Sequence, residues 1–353
     1  MNKLWKEFEI QNVFITEAKS KKSQVPTGAY IHKENLLNGT TPRITVTSQN
    51  NGIDGYYISS DKNYRVFSNF ISVSFLGTIF YHPYEASLDM KVHCLKLKDR
   101  ELNFHISMFL ISEIKKSIEN ASYGNQLSST DLPHKKIMLP INEFGKPDYE
   151  FMEQYIKERE AIKRKEYLKY CSTQLKKIEN CAKSIEIKSV AWAEFFLKDI
   201  FPCVQRGKRL TREKQTEGNT PYVSSSALNN GVDNFIGNTS GVRKFKNCLS
   251  LANSGSVGSC FYEPFEFVAS DHITHLKKEA LSPYQYLFIS TMLNRLSEKY
   301  NFNREINDTR ISREKVLLPI DENGKPNYTL MEQYAKHIVF KKYDSYIEYC
   351  KTL

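Results

Sequence analysis

Four residues have the types and order of a metal-dependent nuclease site. Pro147, Asp148, Glu186 and Lys188 form a Pro-Asp…Glu-x-Lys pattern, in which carboxylates can hold a divalent cation. Two observations argue against this site. The sequence repeats itself 179 residues later with Asn327 in place of Asp148, and Glu186 and Lys188 fall on a predicted helix instead of a paired strand. We therefore predict no nuclease site here.

Histidine and cysteine residues are too sparse to predict a metal site. His272 and His275 are three positions apart, and His93 is followed by Cys94. When the repeats are aligned, Cys94 stands opposite His275, but Thr274 stands opposite His93. A zinc site needs a denser set of ligands, so these residues are interpreted as ordinary strand residues and no metal is expected.

Other catalytic signatures are also missing from the sequence. There is no Pro-Pro pair for a methyltransferase motif and no Walker A or dinucleotide-binding fingerprint. Pro202-Cys203 is the only Pro-Cys pair, and a core cysteine at a strand end is its simpler interpretation. No catalytic residue is predicted.

Composition limits the class of protein. Seven cysteines without a Cys-x-x-Cys pair indicate reduced thiols, and neither a signal pattern nor a long apolar run is present. We expect a cytoplasmic protein that does not enter a membrane. The net charge of +10 favours a polyanionic partner, although a generally basic surface explains it equally well.

The elements that must position any site are repeated. LPINEFGKPDYEFMEQYIK, from Leu139, recurs from Leu318 as LPIDENGKPNYTLMEQYAK, with thirteen of nineteen positions identical. Other blocks recur in the same order, including TPRITVTSQNNGID and TPYVSSSALNNGVD at an offset of 179, and WKEF and WAEF at an offset of 187. Such order at nearly constant spacing indicates a duplicated unit.

Composition changes along each repeat and predicts different secondary structure in its parts. Short runs of Thr, Ser, Val, Ile and Phe with Asn-Gly, Pro and Gly predict strands and tight turns, and residues 104–118 and 284–296 predict buried helices. The repeated motif predicts a last strand, a turn, and a long helix capped by Asp148 or Asn327.

Apolar residues in the two long helices follow a heptad spacing. Mutual antiparallel packing of the helices is favoured, although each stripe could instead pack on its own domain. The two stripes are Leu168, Cys171, Leu175, Ile178, Ala182 and Ile185, and Phe340, Tyr343, Ile347 and Cys350.

The predicted fold class is α+β. Two tandem mixed α/β domains are joined and followed by long helices that pack as an antiparallel coiled coil. The predicted boundaries are 1–148 and 189–326 for the domains, and 149–188 and 327–353 for the helices.

The second half carries a series of motifs that resembles a known family. DIFPCVQRGKRLT, TPYVSSSALNNGV, SLANSGSVGSCFY, SDHITHLK and VLLPIDENGKPNYTLMEQY are similar to the target recognition domain of restriction–modification specificity subunits, of type I and the related type IIB systems. The resemblance covers essentially the whole chain. The first half departs from it, with KSKKSQVPTGAY where the second has the Arg206 to Arg209 turn.

The resemblance implies a non-catalytic subunit that reads a bipartite target on double-stranded DNA. It implies methyltransferase or restriction subunits as partners, and S-adenosylmethionine and magnesium bound by those partners rather than by this chain. Two alternatives remain open at this point. One is a nucleic-acid-modifying enzyme with an unrecognised active site, and the other is a stand-alone DNA-binding adaptor.

Base reading is expected where polar positions differ between the halves. Arginine can bond guanine and glutamine can bond adenine through two hydrogen bonds. Alternating positions would share one strand face, and a solvated strand edge explains the same pattern. The residues are Arg43, Thr45, Thr47 and Gln49 in the first half and Tyr222, Ser224 and Ser226 in the second.

Basic residues elsewhere are candidates for DNA contacts, mostly to phosphates. They are Lys19, Lys21, Lys22, Lys62 and Arg65 in the first half, and Arg206, Lys208, Arg209, Arg212, Arg243, Lys244, Lys246 and Arg304 in the second.

Overall fold

The structure is a computed structural model that describes residues 3–19, 22–178 and 187–352. The chain divides into two compact units, residues 1–166 and 167–353. The predicted residues Lys21, Ala182 and Ile185 lie outside the described residues.

The first unit is built on a five-stranded sheet and two flanking strands. Its elements are β1 (Trp5–Glu9), α1 (Ile10–Val13), β2 (Glu17–Lys19), β3 (Lys22–Gln24), β4 (Leu37–Ile44), β5 (Ile53–Ile58), β6 (Val66–Ser74), β7 (Ile79–Leu88), β8 (Val92–Leu95), α2 (Phe104–Ser117), β9 (Lys136–Pro140) and the start of α3 (Tyr149–Ile178). The sheet order is β5-β4-β7-β6-β8, with β4 and β7 parallel and the other neighbours antiparallel. β1 pairs antiparallel with β9, which joins the start of the unit to its end.

The core of the first unit lies where α2 packs on the sheet. Ile71 of β6 and Leu95 of β8 meet Phe109 and Leu110 of α2, and Met152 of α3 is fully buried in the same cluster. The buried face of the predicted helix thus attaches the sheet to the long helix. Burying a large apolar side chain contributes roughly 1.5–3 kcal/mol.

The second unit repeats this plan with shorter strands. Its elements are β10 (Trp192–Phe196), α4 (Leu197–Ile200), β11 (Cys203–Arg206), β12 (Glu217–Val223), β13 (Val232–Ile236), β14 (Lys244–Phe245), β15 (Cys248–Ala252), β16 (Cys260–Glu263), β17 (Phe267–Ala269), β18 (Ile273–Lys277), α5 (Pro283–Leu293), α6 (Asp308–Arg313), β19 (Lys315–Pro319) and α7 (Tyr328–Lys351). Two four-stranded sheets form, in the orders β11-β18-β15-β16 and β13-β12-β17-β14, and β10 pairs with β19 as β1 does with β9.

The second unit has two strands, β14 and β15, where the first has the single strand β6, and both regions are interrupted at an asparagine. Asn69 and Asn247 occupy equivalent places and both have a left-handed backbone, with φ of 49° and 52°. In the first unit this residue causes a register shift inside β6, whereas in the second it separates β14 from β15. An interruption of this kind bends a strand in both cases.

The repeated motif has the predicted structure. β9 and β19 end at Pro140 and Pro319, and a turn follows. The carboxylate Oδ1 of Asp148 accepts a hydrogen bond from the Phe151 N–H at 3.0 Å, and Asn327 Oδ1 accepts one from the Leu330 N–H at 2.9 Å. Both predicted caps are confirmed, because amide and carboxylate oxygens serve equally well here.

The predicted buried helices are also present. α2 ends one residue earlier than predicted, and α5 begins one residue earlier and changes to a 3-10 turn at Asn294–Glu298. The central helix is described to Ile178, and the next described element is a 3-10 turn at Ile187–Ser189.

Within the second unit, residues 167–178 of α3 pack on α7 in the antiparallel sense. Tyr167 meets Tyr346 at 4.8 Å between ring centroids, and Tyr170 meets Tyr343 at 5.9 Å, so position rises on one helix as it falls on the other. Cys171 and Ile178 are buried, Leu168 and Leu175 are half-buried, and so are all four predicted residues of α7. The predicted antiparallel pairing is confirmed for this segment.

Candidate nucleic-acid interface

Each candidate interface begins at a glycine whose N–H donates to a neighbouring strand, and the two glycines are equivalent in the repeat. The N–H of Gly28 donates to Val92 O at 3.1 Å, and that of Gly207 donates to Ile273 O at 2.8 Å. A Cβ built on either glycine would lie 2.1 Å from a carbonyl oxygen, that of Leu88 or Ser270. No larger residue fits, since backbone atoms occupy that space.

This equivalence resolves the departure seen in the first half. Gly28 and Gly207 are 179 residues apart, so Ala29 and Tyr30 stand where the second unit has Lys208 and Arg209. Sequence reasoning missed this match because few residues around the glycine are shared, although the constant offset could have revealed it.

Residues 27–33 and 206–212 surround the two glycines, and we call these segments the glycine loops. The basic residues of the second glycine loop fall into two groups. Lys208, Arg209 and Arg212 are exposed and form no ion pair with any described residue. Arg206 is half-buried, and its Nη2 lies 3.1 Å from Asp308 Oδ1. The first group therefore has its charge available for an anion, whereas Arg206 is partly neutralised.

Arg65 and Arg243 brace the glycine loops from the same place in both units. Arg65 Nη1 donates to Thr27 O at 3.3 Å, and Arg243 Nη1 donates to Arg206 O at 2.6 Å. Their positive charge stays at the surface, so bracing and phosphate contact are compatible. Lys244 pairs with Glu266 at 3.0 Å.

The remaining predicted cations are spread over the surface. Lys22, Lys62 and Lys246 are exposed and make no ion pair within the described part of the chain. Lys19 ends β2, and Arg304 is exposed, with its guanidinium 5.3 Å from the Tyr300 ring centroid.

The predicted roles of Arg43 and Tyr222 in base reading are wrong for this structure. Arg43 is 4% exposed, pairs with Asp89 at 3.1 Å and donates to Ala29 O at 3.1 Å. Tyr222 is 5% exposed and donates its hydroxyl to Leu210 O at 3.3 Å. Both side chains are buried, as are the next residues Ile44 and Val223, so both faces of the strand are covered at this end and the two side chains support the glycine loop instead.

The prediction of one shared strand face also needs correction. β4 ends at Ile44 and β12 ends at Val223, so residues 45–49 and 224–228 form loops rather than strand edges. We name these the reading loops.

Each reading loop has the same backbone support. The Thr45 N–H donates to Gly52 O at 2.9 Å, and the Ser224 N–H donates to Gly231 O at 2.9 Å. In the second loop the Ser226 hydroxyl accepts the Leu228 N–H, as the Thr47 hydroxyl accepts the Gln49 N–H in the first.

An Asn-Asn-Gly turn closes both reading loops. All three residues have positive φ in each copy, from 48° to 79° in the first and from 50° to 76° in the second. Asn and Gly tolerate this conformation best, which explains why the triplet is repeated. The backbones match, and the exposed side chains at the tip differ: Gln49 in one loop and Leu228 in the other.

Buried titratable groups occupy equivalent positions in the two units. His82 is fully buried, 2.8 Å from Ser72 Oγ, and burial lowers the pKa of its imidazole to about 4. Glu263 is fully buried and accepts a hydrogen bond from Ser250 Oγ at 2.8 Å, and burial raises the pKa of its carboxyl to about 7.

The histidines considered as metal ligands have protein partners. His275 Nδ1 lies 2.9 Å from Gln205 O and His93 Nε2 lies 3.3 Å from Leu127 O, while His272 Nδ1 contacts Ser254 Oγ. Among residues 3–19, 22–178 and 187–352, no group of three His, Cys, Asp or Glu side chains is placed to hold a metal ion. None of the described helices is long and apolar enough to cross a membrane.

An aromatic trio is repeated in the two units. In each unit a Phe stacks on a Trp, at 5.9 or 6.2 Å, and meets a Tyr of the long helix edge-on, at 5.9 or 5.8 Å. The trios are Trp5, Phe109 and Tyr155, and Trp192, Phe288 and Tyr334. Trp5 is 44% exposed, and the second trio borders an apolar groove of about 530 Å³.

Comparisons with known proteins identify similar chains. The specificity subunit S.BcgI of a type II restriction enzyme from Heyndrickxia coagulans is 28% identical over 302 residues, covering 83% of this chain and 84% of that protein. The S subunit of a type I restriction–modification system from M. genitalium is 16% identical with a TM-score of 0.46, covering 99% of this chain and 93% of that one. The HsdS subunit from Thermoanaerobacter tengcongensis is 12% identical with a TM-score of 0.33, covering 99% and 91%.

A family model decides the assignment. The model of the type I restriction modification DNA specificity domain matches residues 2–170 and again residues 189–345, nearly the whole chain. The two matches coincide with the two repeats, each with its glycine loop and reading loop. This chain therefore belongs to the family of restriction–modification DNA specificity subunits and carries two specificity domains.

Proposed function

We propose that each unit reads one half of a bipartite target on double-stranded DNA. The observation that carries this proposal is the pair of reading loops, which share a backbone and differ in their exposed side chains. A shared backbone places both loops alike, and different side chains give each half-site its own bases. Exposed cations such as Lys208 and Arg212 would hold the phosphates.

The chain itself performs no chemistry in this proposal. Methyltransferase and restriction subunits bind to it and carry S-adenosylmethionine and magnesium, and this chain brings them to the target in the cytoplasm. The repeated aromatic trio supports two equivalent docking places, because a half-exposed Trp beside other rings is typical of interface anchors.

Mapping of methylated adenines across a genome that expresses this chain and its partners tests the DNA-reading proposal. We expect a split motif with two short specific halves separated by unread base pairs. A continuous motif would contradict reading by two separate units.

Incubation of the purified chain with S-adenosylmethionine and duplex DNA tests the absence of catalysis. We expect no methyl transfer until a methyltransferase subunit is added, and methylation by the chain alone would overturn the proposal. A pull-down tests the partner: capture of a methyltransferase subunit is expected, and its failure would favour a stand-alone adaptor.

A further inference from the structure

Among the described residues of each unit, the most exposed aromatic side chain occupies an equivalent position in the repeat. Tyr123 is 82% exposed and Phe302 is 77% exposed, and the two are 179 residues apart. Each opens a two-residue turn between paired positions, 122 with 125 and 301 with 304. A single exposed ring is ordinary on a protein surface, but the same exposed ring in both copies of a duplicated unit calls for a shared role.

Both turns are rigidly held. Backbone hydrogen bonds run in both directions across each turn, at 3.1 Å twice in the first unit and at 2.9 and 3.3 Å in the second. Leu127 and Ile306, which leave the turns, are buried, and their N–H groups donate to Phe75 O and Asn253 O at 2.9 Å. The ring is thus presented to solvent on a fixed backbone, which lowers the entropy lost when it binds.

The turn at Phe302 is connected to the candidate DNA interface. Asn253, which anchors Ile306, begins a turn whose Ser256 N–H donates to Ser225 O in the reading loop at 3.1 Å. Arg206, the residue before Gly207, donates from its Nη2 to Ile306 O at 3.5 Å. The reading loop, the glycine loop and the aromatic turn are therefore linked parts of one surface.

Charge around the second turn suits a polyanion. Residues 295–313 contain five Lys or Arg and three Asp or Glu. Arg295 and Lys299 are paired with Glu298 and Glu314, whereas Arg313 and Arg304, which lies in the turn itself, form no ion pair with any described residue. Residues 116–134, around Tyr123, contain one Lys and two acidic residues, so this electrostatic support is specific to the second unit.

We propose that Phe302, and its counterpart Tyr123, are DNA-contacting residues that wedge their rings against the base stack at the edge of each half-site. Apolar wedges that partly unstack a base step are a known way for proteins to bend and grip duplex DNA, and stacking on a base does not depend on its identity. This inference rests on the proposed function, since it concerns the same DNA. It assigns these residues to affinity and not to sequence choice.

The first experiment measures binding of the full chain to a random-sequence DNA duplex. F302A is expected to weaken binding at least about fivefold, the lower end of what aromatic stacking on one base contributes, and Y123A by a smaller factor. The matched control is F144A, since Phe144 is also 77% exposed but has Asn323 at the equivalent place. Equal binding by F302A and the unsubstituted chain overturns this inference and leaves the proposed function intact.

The second experiment reports on the ring directly. F302W is expected to retain binding and to show tryptophan fluorescence that the duplex quenches, while F144W shows no such quenching. An F302W signal that stays unchanged under saturating duplex also overturns the inference. Failure of the unsubstituted chain to bind any duplex, alone or with a methyltransferase subunit, overturns the proposed function and this inference with it.

Discussion

The two units keep one framework and fill it with different polar residues. Where Arg43 is buried against Asp89 in the first unit, Tyr222 is buried in the second, and where the first buries His82, the second buries Glu263. Arg43 and Tyr222 donate to different backbone carbonyls, whereas His82 and Glu263 bond the hydroxyls of Ser72 and Ser250, and Glu263 Oε2 has no hydrogen-bond partner among the described residues. The fold tolerates both changes.

The invariant parts are those with a steric or backbone requirement. The Asn-Asn-Gly turns, Gly28 with Gly207, and the aromatic trios are the same in both units, and the helix caps keep the same hydrogen bond although Asn327 replaces Asp148. Duplication thus separates two kinds of position within one chain. Positions that determine the backbone conformation stay the same, whereas the tips of the reading loops and the buried polar side chains differ.

Deletion of residues 168–174 tests whether the two units read their half-sites independently of the helices, and we expect it to have the largest effect. The deletion removes one heptad, about 10 Å of helix, and preserves the phase of the seam. We expect methylation at the original split motif to be lost, or to move to a motif with a different gap, while the bases of each half survive. Genome-wide methylation mapping measures this outcome.

The control for this deletion keeps the helix length, with Lys169 and Ser172 both changed to Ala at exposed positions. It should leave the motif and its gap unchanged. Retention of the original gap by the deletion variant would show that these helices do not set the distance between the half-sites.

Substitution of Gly28 and Gly207 tests whether both glycine loops exclude a side chain at this position. Gly28→Ala and Gly207→Ala each place a Cβ 2.1 Å from a carbonyl oxygen, so the backbone must shift. We expect the free energy of unfolding to fall by roughly 3 kcal/mol in each case. Chemical denaturation measures it, with Gly124→Ala as the control because no described atom lies within 4 Å of its Cβ. A mild effect at one glycine alone would break the equivalence of the two loops.

The buried His82 and Glu263 predict opposite pH dependence for the two units. Between pH 4.5 and about 7 only the folded state keeps the Glu263 proton, so the second unit loses stability as pH rises. Between pH 6.5 and about 4 only the unfolded state binds a proton at His82, so the first unit loses stability as pH falls. Each loss is at most about 3 kcal/mol.

Glu263→Gln isolates one side of this contrast, because Gln resembles the protonated carboxyl. The variant should be more stable than the parent at pH 8 and about equal at pH 4.5, as measured by thermal or denaturant unfolding at both values. His82→Gln should stabilise at pH 4.5 and not at pH 8. An increase for Glu263→Gln that is the same at both pH values would contradict ionisation as the cause.

Exchange of the reading-loop tips tests the smallest difference. Leu228→Gln gives the second loop the amide of Gln49, and we expect a gain of adenine preference in that half-site alone, worth about 1–3 kcal/mol of discrimination. Selection of bound duplexes from a random pool, with partner subunits present, measures it. The reciprocal Gln49→Leu should change only the other half. A selected motif that neither change alters would place base reading outside these loops.

Local chemistry let the sequence by itself determine much of this protein. The repeat, the strand-turn-helix motif, the Asp148 and Asn327 caps, and the seam at Cys171 and Ile178 follow from backbone propensity and apolar spacing, which act over a few residues. Each of these predictions agrees with the described structure, and the family resemblance agrees with the family match.

The packing of distant segments determined which polar side chains are available to a ligand. Arg43 and Tyr222 looked like surface readers, but the strand end turns them inward, where Asp89 and Leu210 provide partners from distant sequence. The match of Gly28 with Gly207 likewise depends on carbonyl oxygens some 60 residues away along the chain. Solvent access and long-range hydrogen bonds arise from packing, so residue type and spacing could not specify them.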